Sequence, residues 1–165
     1  MNYLMKIWGR IRGFGILIAF TFSLTSCSHH TYNQNVFTQA DFEELLQRLA
    51  QGWNANDAGM AASVFAIDAI YSEPPNKQLY VGREAIFNFF GGENGRDTSM
   101  QMTWHHISYD PEKSVGAGEF TFRWPSGAVH GMVSIRVEGN LIKNWREYYY
   151  EDASTWEEFS RQNPF

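Results

Sequence analysis

The sequence predicts an α+β fold in which a cone-shaped, curved antiparallel sheet of four to six strands carries about three N-terminal helices on its concave face. In the first half of the domain, apolar residues recur at helical spacing, as they do from Phe42 to Trp53. From residue 98 onward the period changes to two, which is typical of strands. The turn sequences DPEK, PSG and EGN separate these segments and favour hairpins. Helices followed by an antiparallel meander indicate the α+β class.

The predicted helices have recognisable ends. Thr38 is expected to cap the first helix, and Asp57 a second, shorter one. The sequence GREAIFNFFGG predicts a third helix over 82–92, which the two glycines end. Ser154 and Glu157 form a predicted capping box at the start of a last short helix. The predicted strands span residues 66–75, 98–109, 113–124, 127–138 and 141–151.

Residues 1–26 are predicted to be a signal peptide. The basic residues Lys6, Arg10 and Arg12 precede an apolar run of ten residues, 13–22, and no acidic residue occurs among them. That run is short for a transmembrane helix and suits the core of a signal peptide.

The sequence LTSC, which ends at Cys27, resembles the lipobox of bacterial lipoproteins. The resemblance implies cleavage before Cys27, acylation of its thiol and amine, and stable anchoring in a membrane of the cell envelope. In a Gram-negative host, Ser28 favours the outer membrane, with the domain facing the periplasm. Residues 27–36 would then be the lipidated Cys and a flexible tether, and 37–165 the domain. The alternative is an ordinary secretory signal followed by a chance cysteine.

The charge of the mature chain argues against nucleic acid as a partner. Removal of the three basic leader residues leaves 10 basic and 18 acidic residues from Cys27 onward, a net charge of −8. His29 and His30 are adjacent in the tether and are interpreted as solvated residues rather than as a metal site. No metal and no cofactor are expected.

Four stretches occur together in the order of one superfamily: WNANDAGMAASVFAIDAIYSEPP, GREAIFNFF, GEFTF and IKNWREYYY. They resemble the SnoaL-like group of the nuclear transport factor 2 superfamily over about residues 38–151. The resemblance implies the fold given above and a conical pocket for a small hydrophobic molecule. The superfamily includes polyketide cyclases, ketosteroid isomerase, limonene-1,2-epoxide hydrolase and members that only bind or dimerise, so the fold leaves the activity open.

The epoxide hydrolase branch implies two pocket carboxylates. One follows the Arg of a WR-carboxylate-Y strand and corresponds to Glu147, and the other, six residues before Pro125, corresponds to Glu119. The Arg that bridges them in that branch is replaced here by Ala117. The Tyr and Asn that hold water there correspond to Tyr71 and Glu73.

The expected catalytic residues are Glu119, Glu147 and His106. If both glutamates face a pocket among aromatic residues, burial and mutual repulsion raise at least one pKa, as acid/base work requires. His106 is a candidate base if it shares the face of Trp104. In the alternative interpretation the glutamates serve the scaffold and His106 is a core residue. The expected ligand-binding residues are Trp53, Tyr71, Glu73, Trp104, Trp145 and Tyr149.

The predicted function is a lipid-anchored domain that binds a small hydrophobic ligand, with cofactor-free acid/base chemistry of the isomerase, cyclase or epoxide-hydrolase type. The alternative is a non-enzymatic module at the cell envelope that dimerises or binds a partner. The resemblance implies that a homodimer would form through the outer face of the sheet, where parity places Arg146, Tyr148 and Tyr150.

Overall fold

The computed structural model describes residues 36–164, so the predicted signal peptide, Cys27 and nearly all of the tether lie outside the described residues. Within this part of the chain, no helix is long and apolar enough to cross a membrane. The helices are α1 (Gln39–Asn54), α2 (Ala58–Ser63), α3 (Arg83–Phe89) and α4 (Trp156–Gln162). The strands are β1 (Phe65–Glu73), β2 (Gln78–Val81), β3 (Gln101–Asp110), β4 (Val115–Trp124), β5 (Gly127–Glu138) and β6 (Leu141–Glu151).

The six strands form one curved sheet in the order β2-β1-β6-β5-β4-β3. The predicted α+β class and the predicted sheet are confirmed, although β1 and β6 pair in parallel while all other neighbours are antiparallel. Strand β2 is not among the predicted elements. It is only four residues long, and it pairs with β1 after a tight turn at Pro74–Asn76, which Lys77 ends with a left-handed φ of 55°. So short a segment carries little periodic signal.

The core lies between the inner face of the sheet and helices α1 to α3. Helix α1 packs on β3, and the indole N–H of Trp104 donates to the backbone carbonyl of Leu46 at 2.9 Å. Phe65, Phe120 and Trp145 are fully or almost fully buried from the strand side. Helix α4 lies on the opposite face, where the Trp156 ring stacks on His105 at 3.8 Å between centroids.

The cap of α1 is the one that the sequence predicts, whereas the cap of α4 lies one residue beyond its predicted position. Thr38 caps α1, as predicted, in a capping box with Asp41. Helix α4 is capped by Thr155 with Glu158, so the predicted box of Ser154 and Glu157 is wrong by one position. Ser154 is held before the helix because its N–H donates to Asp152 and its carbonyl accepts from Arg123.

Candidate functional site

A cavity of about 190 Å³ opens between the inner face of the sheet and the ends of α1 and α3. It is smaller than the roughly 300–1,000 Å³ typical of pockets for drug-sized ligands, so it suits a small molecule. Most of its lining is apolar, with three carboxyl groups among aromatic rings. The lining residues are Trp53, Tyr71, Glu73, Phe89, Met100, Phe122, Trp124, Val129, Glu147, Tyr149 and Glu151.

Glu147 is the most deeply placed carboxyl group of the cavity. Its residue is 3 % exposed, because β6 alternates buried and exposed positions and turns Trp145 and Glu147 inward. The indole N–H of Trp145 donates to Oε2 of Glu147 at 2.6 Å. Tyr71 and Glu73, both on β1 beside β6, also lie close enough to the Glu147 carboxyl to shift its pKa. A carboxyl in this position has polar partners but almost no water.

Burial raises the pKa of Glu147 to about 8, and the nearby charge of Glu73 adds to the rise. The hydrogen bonds from Trp145 and Tyr71 oppose it without cancelling it. The pKa of Glu73 is also raised by burial, while its hydrogen bonds with Tyr71 and Glu147 oppose that rise. At neutral pH, Glu147 is therefore mainly protonated and can donate a hydrogen bond to an ionised Glu73. The two form one unit, since adjacent carboxyl groups do not both ionise cheaply.

Tyr71 joins the carboxyl pair to the aromatic wall. Its ring stacks on Trp145, with centroids 5.5 Å apart and planes within 9°. Burial raises its pKa well above the usual value, and the charges of Glu147 and Glu73 raise it further. Tyr71 thus remains a hydroxyl donor at physiological pH. Tyr149 closes the same wall nearer the mouth, and its hydroxyl accepts a hydrogen bond from the side-chain amide of Asn76.

Most of the predicted ligand-binding residues lie at this cavity. Trp53, Tyr71, Glu73 and Tyr149 line it, and Trp145 supports it through its bond to Glu147. Trp104 does not line it, because its indole packs in the core against α1.

The predicted placement of Glu119 in the pocket is wrong. Strand β4 turns Phe120 and Phe122 inward, so Glu119 projects from the outer face, opposite Met132 of β5. Its side chain is 30 % exposed and contacts Nδ1 of His106 through Oε2 at 2.6 Å. The second carboxyl of the cavity is instead Glu73, which lies at the end of β1 and is 5 % exposed.

His106 is also absent from the cavity, because strand β3 contains an irregularity. Trp104 pairs with Phe120, but Ile107 pairs with Gly118, so β3 has one residue more than β4 across this interval. The extra residue breaks the alternation that would have put His106 on the face of Trp104. The side chain of His106 is 59 % exposed on the outer face.

Six residues that line the cavity are not among the site residues predicted from the sequence. Phe122 and Trp124 follow the inward face that Phe120 begins, and Glu151 continues the face of Glu147. Strand alternation could have identified these three. Phe89, Met100 and Val129 reach the cavity through tertiary packing, for which the sequence carries no local signal. Among residues 36–164, no three His, Cys, Asp or Glu side chains are grouped so as to hold a metal ion.

Several solved structures share the fold at low sequence identity. An NTF-2 like protein of unknown function from Burkholderia xenovorans superposes with a TM-score of 0.61 and 12% identity, over 78% of this chain and 97% of its own. A protein with a ketosteroid isomerase-like fold from Catenulispora acidiphila, in complex with trimethylamine, has a TM-score of 0.56, 18% identity and coverage of 64% and 85%. An LEH-like epoxide hydrolase from M. tuberculosis has a TM-score of 0.54, 16% identity and coverage of 67% and 84%.

No curated protein matches the chain. These structural likenesses establish the fold and leave the chemistry open. The SnoaL-like domain family matches residues 46–145, which is more than half of the chain and includes Tyr71 and Glu73 of the cavity and Trp145 beside it. The resemblance found in the sequence is therefore confirmed, and the chain belongs to the SnoaL-like family, within the nuclear transport factor 2-like fold.

Proposed function

We propose that this domain binds a small, mainly apolar molecule in the cavity and transfers protons to and from it through Glu73 and Glu147. The observation that carries the proposal is the pair itself, two buried carboxyl groups that line one cavity among aromatic rings. Because burial favours the proton on Glu147, one member of the pair donates and the other accepts at neutral pH.

The possible reaction classes follow from these separate donor and acceptor roles. Glu73, at the mouth side of the pair, takes a proton from the ligand or from a water molecule, and Glu147 donates one to a developing oxyanion. Tyr71 holds its hydroxyl beside both carboxyl groups and adds one hydrogen-bond donor to the site. Isomerisation through an enol, aldol-type cyclisation and epoxide opening all need such a donor and acceptor, so the pair supplies the proton chemistry of each. The likeness to the LEH-like epoxide hydrolase and to the trimethylamine-bound protein supports use of the cavity for a small ligand.

A substitution that fills the cavity tests whether small molecules bind there. Ligand-observed NMR with a library of uncharged, cationic and anionic fragments should yield binders that compete for one site. Val129→Phe, which fills the cavity from β5, should weaken them about tenfold or more, because the added ring occupies the space they use. Met132→Phe is the matched control, since Met132 lies on the same strand and faces outward. The proposal would be contradicted if the fragments bound Val129→Phe as tightly as the wild type, or if no fragment bound at all.

Any fragment that the protein converts then tests the carboxyl pair. Glu73→Gln and Glu147→Gln should each lower the turnover number by about 10²–10⁴-fold, because each removes one proton-transfer partner. Both variants should still bind the fragment. Glu119→Gln is the control, since Glu119 lies on the outer face. Equal losses in all three variants, or none in the first two, would remove the catalytic part of the proposal.

The protonation of Glu147 predicts how stability depends on pH. The native carboxyl titrates at about 8 and the unfolded one near 4.5, so between these values the native state holds a proton that the unfolded state has lost. The free energy of unfolding should therefore fall as pH rises through this window, by at most about 1.4 kcal/mol per pH unit from this group. Glu73 adds a smaller fall of the same sign.

Glu147→Gln should remove most of that slope and make the protein more stable than the wild type at about pH 8, because Gln stays neutral at every pH. Urea unfolding at several pH values between about 5 and 8 measures both effects. The exposed Glu151→Gln at the mouth serves as the control and should retain the wild-type slope. A Glu147→Gln protein with the wild-type slope would show that Glu147 is ionised in the native state.

A second use of the domain, binding to a partner or to another copy, is favoured by its outer face. Met132 and Tyr148 are paired across β5 and β6, and with Tyr150 all three are more than half exposed. If this face is an interface, sedimentation should show a species heavier than the monomer that Tyr148→Lys reverts to monomer, since a buried charge opposes association. A wild-type monomer at all concentrations would reject self-association.

Anchoring through Cys27 and a location in the cell envelope complete the proposal. Support comes only from the sequence LTSC after a short apolar run. Mass spectrometry of protein extracted from membranes should find an acylated N-terminal Cys27, and Cys27→Ala should leave the protein unacylated. A mature N-terminus elsewhere, without lipid, would refute the anchor.

A further inference from the structure

The cavity combines two kinds of lining that share an electrostatic preference. Aromatic rings form most of its wall, and the faces of such rings carry partial negative charge. Carboxyl groups of Glu73, Glu147 and Glu151 supply the rest of its polarity. Among the described residues that line the cavity, none is basic. The aromatic members are Trp53, Tyr71, Phe89, Phe122, Trp124 and Tyr149.

The guanidinium that contacts a lining ring, that of Arg96, does not neutralise this lining. Arg96 lies over the ring of Trp53 at 3.9 Å, outside the set of lining residues. Its Nη atoms donate to the backbone carbonyls of Phe90 and Trp53 at 3.1 and 2.6 Å. Arg96 thus ties α1 to the end of α3 and has no carboxylate partner in the cavity. The groups that face Glu147 from β1 and β6 are Tyr71, Glu73 and Tyr149, of which only Glu73 can carry charge at neutral pH.

A lining of aromatic rings and carboxyl groups, without a basic residue among those described, favours one class of ligand over others. An anion would meet carboxyl groups and ring faces with no cation to offset them, which is costly in a buried site. A neutral apolar molecule would fill the space but leave the ionised Glu73 without a counter-charge. A cation satisfies both elements of the lining, through cation–π contacts with the rings and through the carboxylate. The volume of about 190 Å³ further restricts the ligand to a compact one.

We propose that the cavity takes a small alkylammonium ion, with its charged head enclosed by the aromatic rings and directed at Glu73. This inference rests on the proposed function, because it names the ligand class of the same cavity. The alkyl substituents fill the apolar part of the lining, between Met100, Val129 and the rings. The ligand supplies the positive charge that the described lining lacks.

Binding of such a cation is linked to a proton. A positive charge beside the pair favours the ionised form of Glu147, so ligand binding lowers the pKa of this carboxyl from its value in the free protein.

The experiment compares two probes of equal shape. Choline carries a quaternary nitrogen where 3,3-dimethylbutan-1-ol carries a carbon, so the pair differs mainly in charge. Isothermal titration calorimetry of the purified protein at about pH 6.5, in two buffers of different ionisation enthalpy, gives the affinity and the number of protons released. Choline should bind about tenfold or more tightly than the alcohol, and up to one proton should be released.

The variants separate the two parts of the inference. Glu147→Gln should bind choline without releasing a proton, because Gln has none to lose. Glu73→Gln should lose most of the preference for choline over the alcohol. Glu119→Gln, on the outer face, should match the wild type in both measurements.

The outcomes distinguish failure of this inference from failure of the proposed function. An alcohol that binds as tightly as choline, and loses affinity in Val129→Phe, would overturn the alkylammonium ligand and leave the small-molecule cavity standing. The same holds if neither probe binds while uncharged or anionic fragments bind the wild type and not Val129→Phe. If no fragment of any charge responds to Val129→Phe, the inference and the proposed function fall together.

Discussion

The structure depends on one costly arrangement, a carboxyl group withdrawn almost completely from water. Glu147 tolerates this burial because it keeps its proton and because the indole N–H of Trp145 donates to its Oε2. Those partners lie where they do because β6 alternates from Trp145 to Tyr148 and pairs in parallel with β1. The polarity of the cavity therefore follows from the register of two central strands, and every chemical property assigned to the site follows from that polarity.

Much of the fold could be predicted because its signals are local. Thr38 and Asp41 form a capping box that depends on three residues of spacing, and hairpin turns follow their own residue preferences. The orientation of Trp145, Glu147 and Tyr149 was predictable for the same reason, since an uninterrupted strand of period two fixes it once one residue is known to face inward. The family resemblance supplied that one residue.

What could not be predicted depends on contacts between distant segments. The spacing to Pro125 predicts that Glu119 of β4 faces inward. The inward residues are instead Phe120, Phe122 and Trp124, and they are identified only once the helices are known to cover that side. The position of His106 depends on an irregularity against β4 that no local pattern in β3 announces. Glu73 becomes the second acid because β1 lies beside β6, a neighbour far away in sequence.

The histidines of the outer face are occupied in structural hydrogen bonds, which leaves the chemistry to the cavity. The carbonyl of Ser154 can only accept, so His130 donates from Nε2 and, when neutral, accepts at Nδ1 from the hydroxyl of Thr121. Because the single hydroxyl proton of Thr121 is used in that bond, its oxygen accepts a hydrogen bond from Nε2 of His105. Burial beneath Trp156 lowers the pKa of His105 to about 4, which keeps its ring neutral. This directional chain fastens α4 to the sheet, whereas the cavity on the other face holds a carboxyl that changes protonation near pH 8.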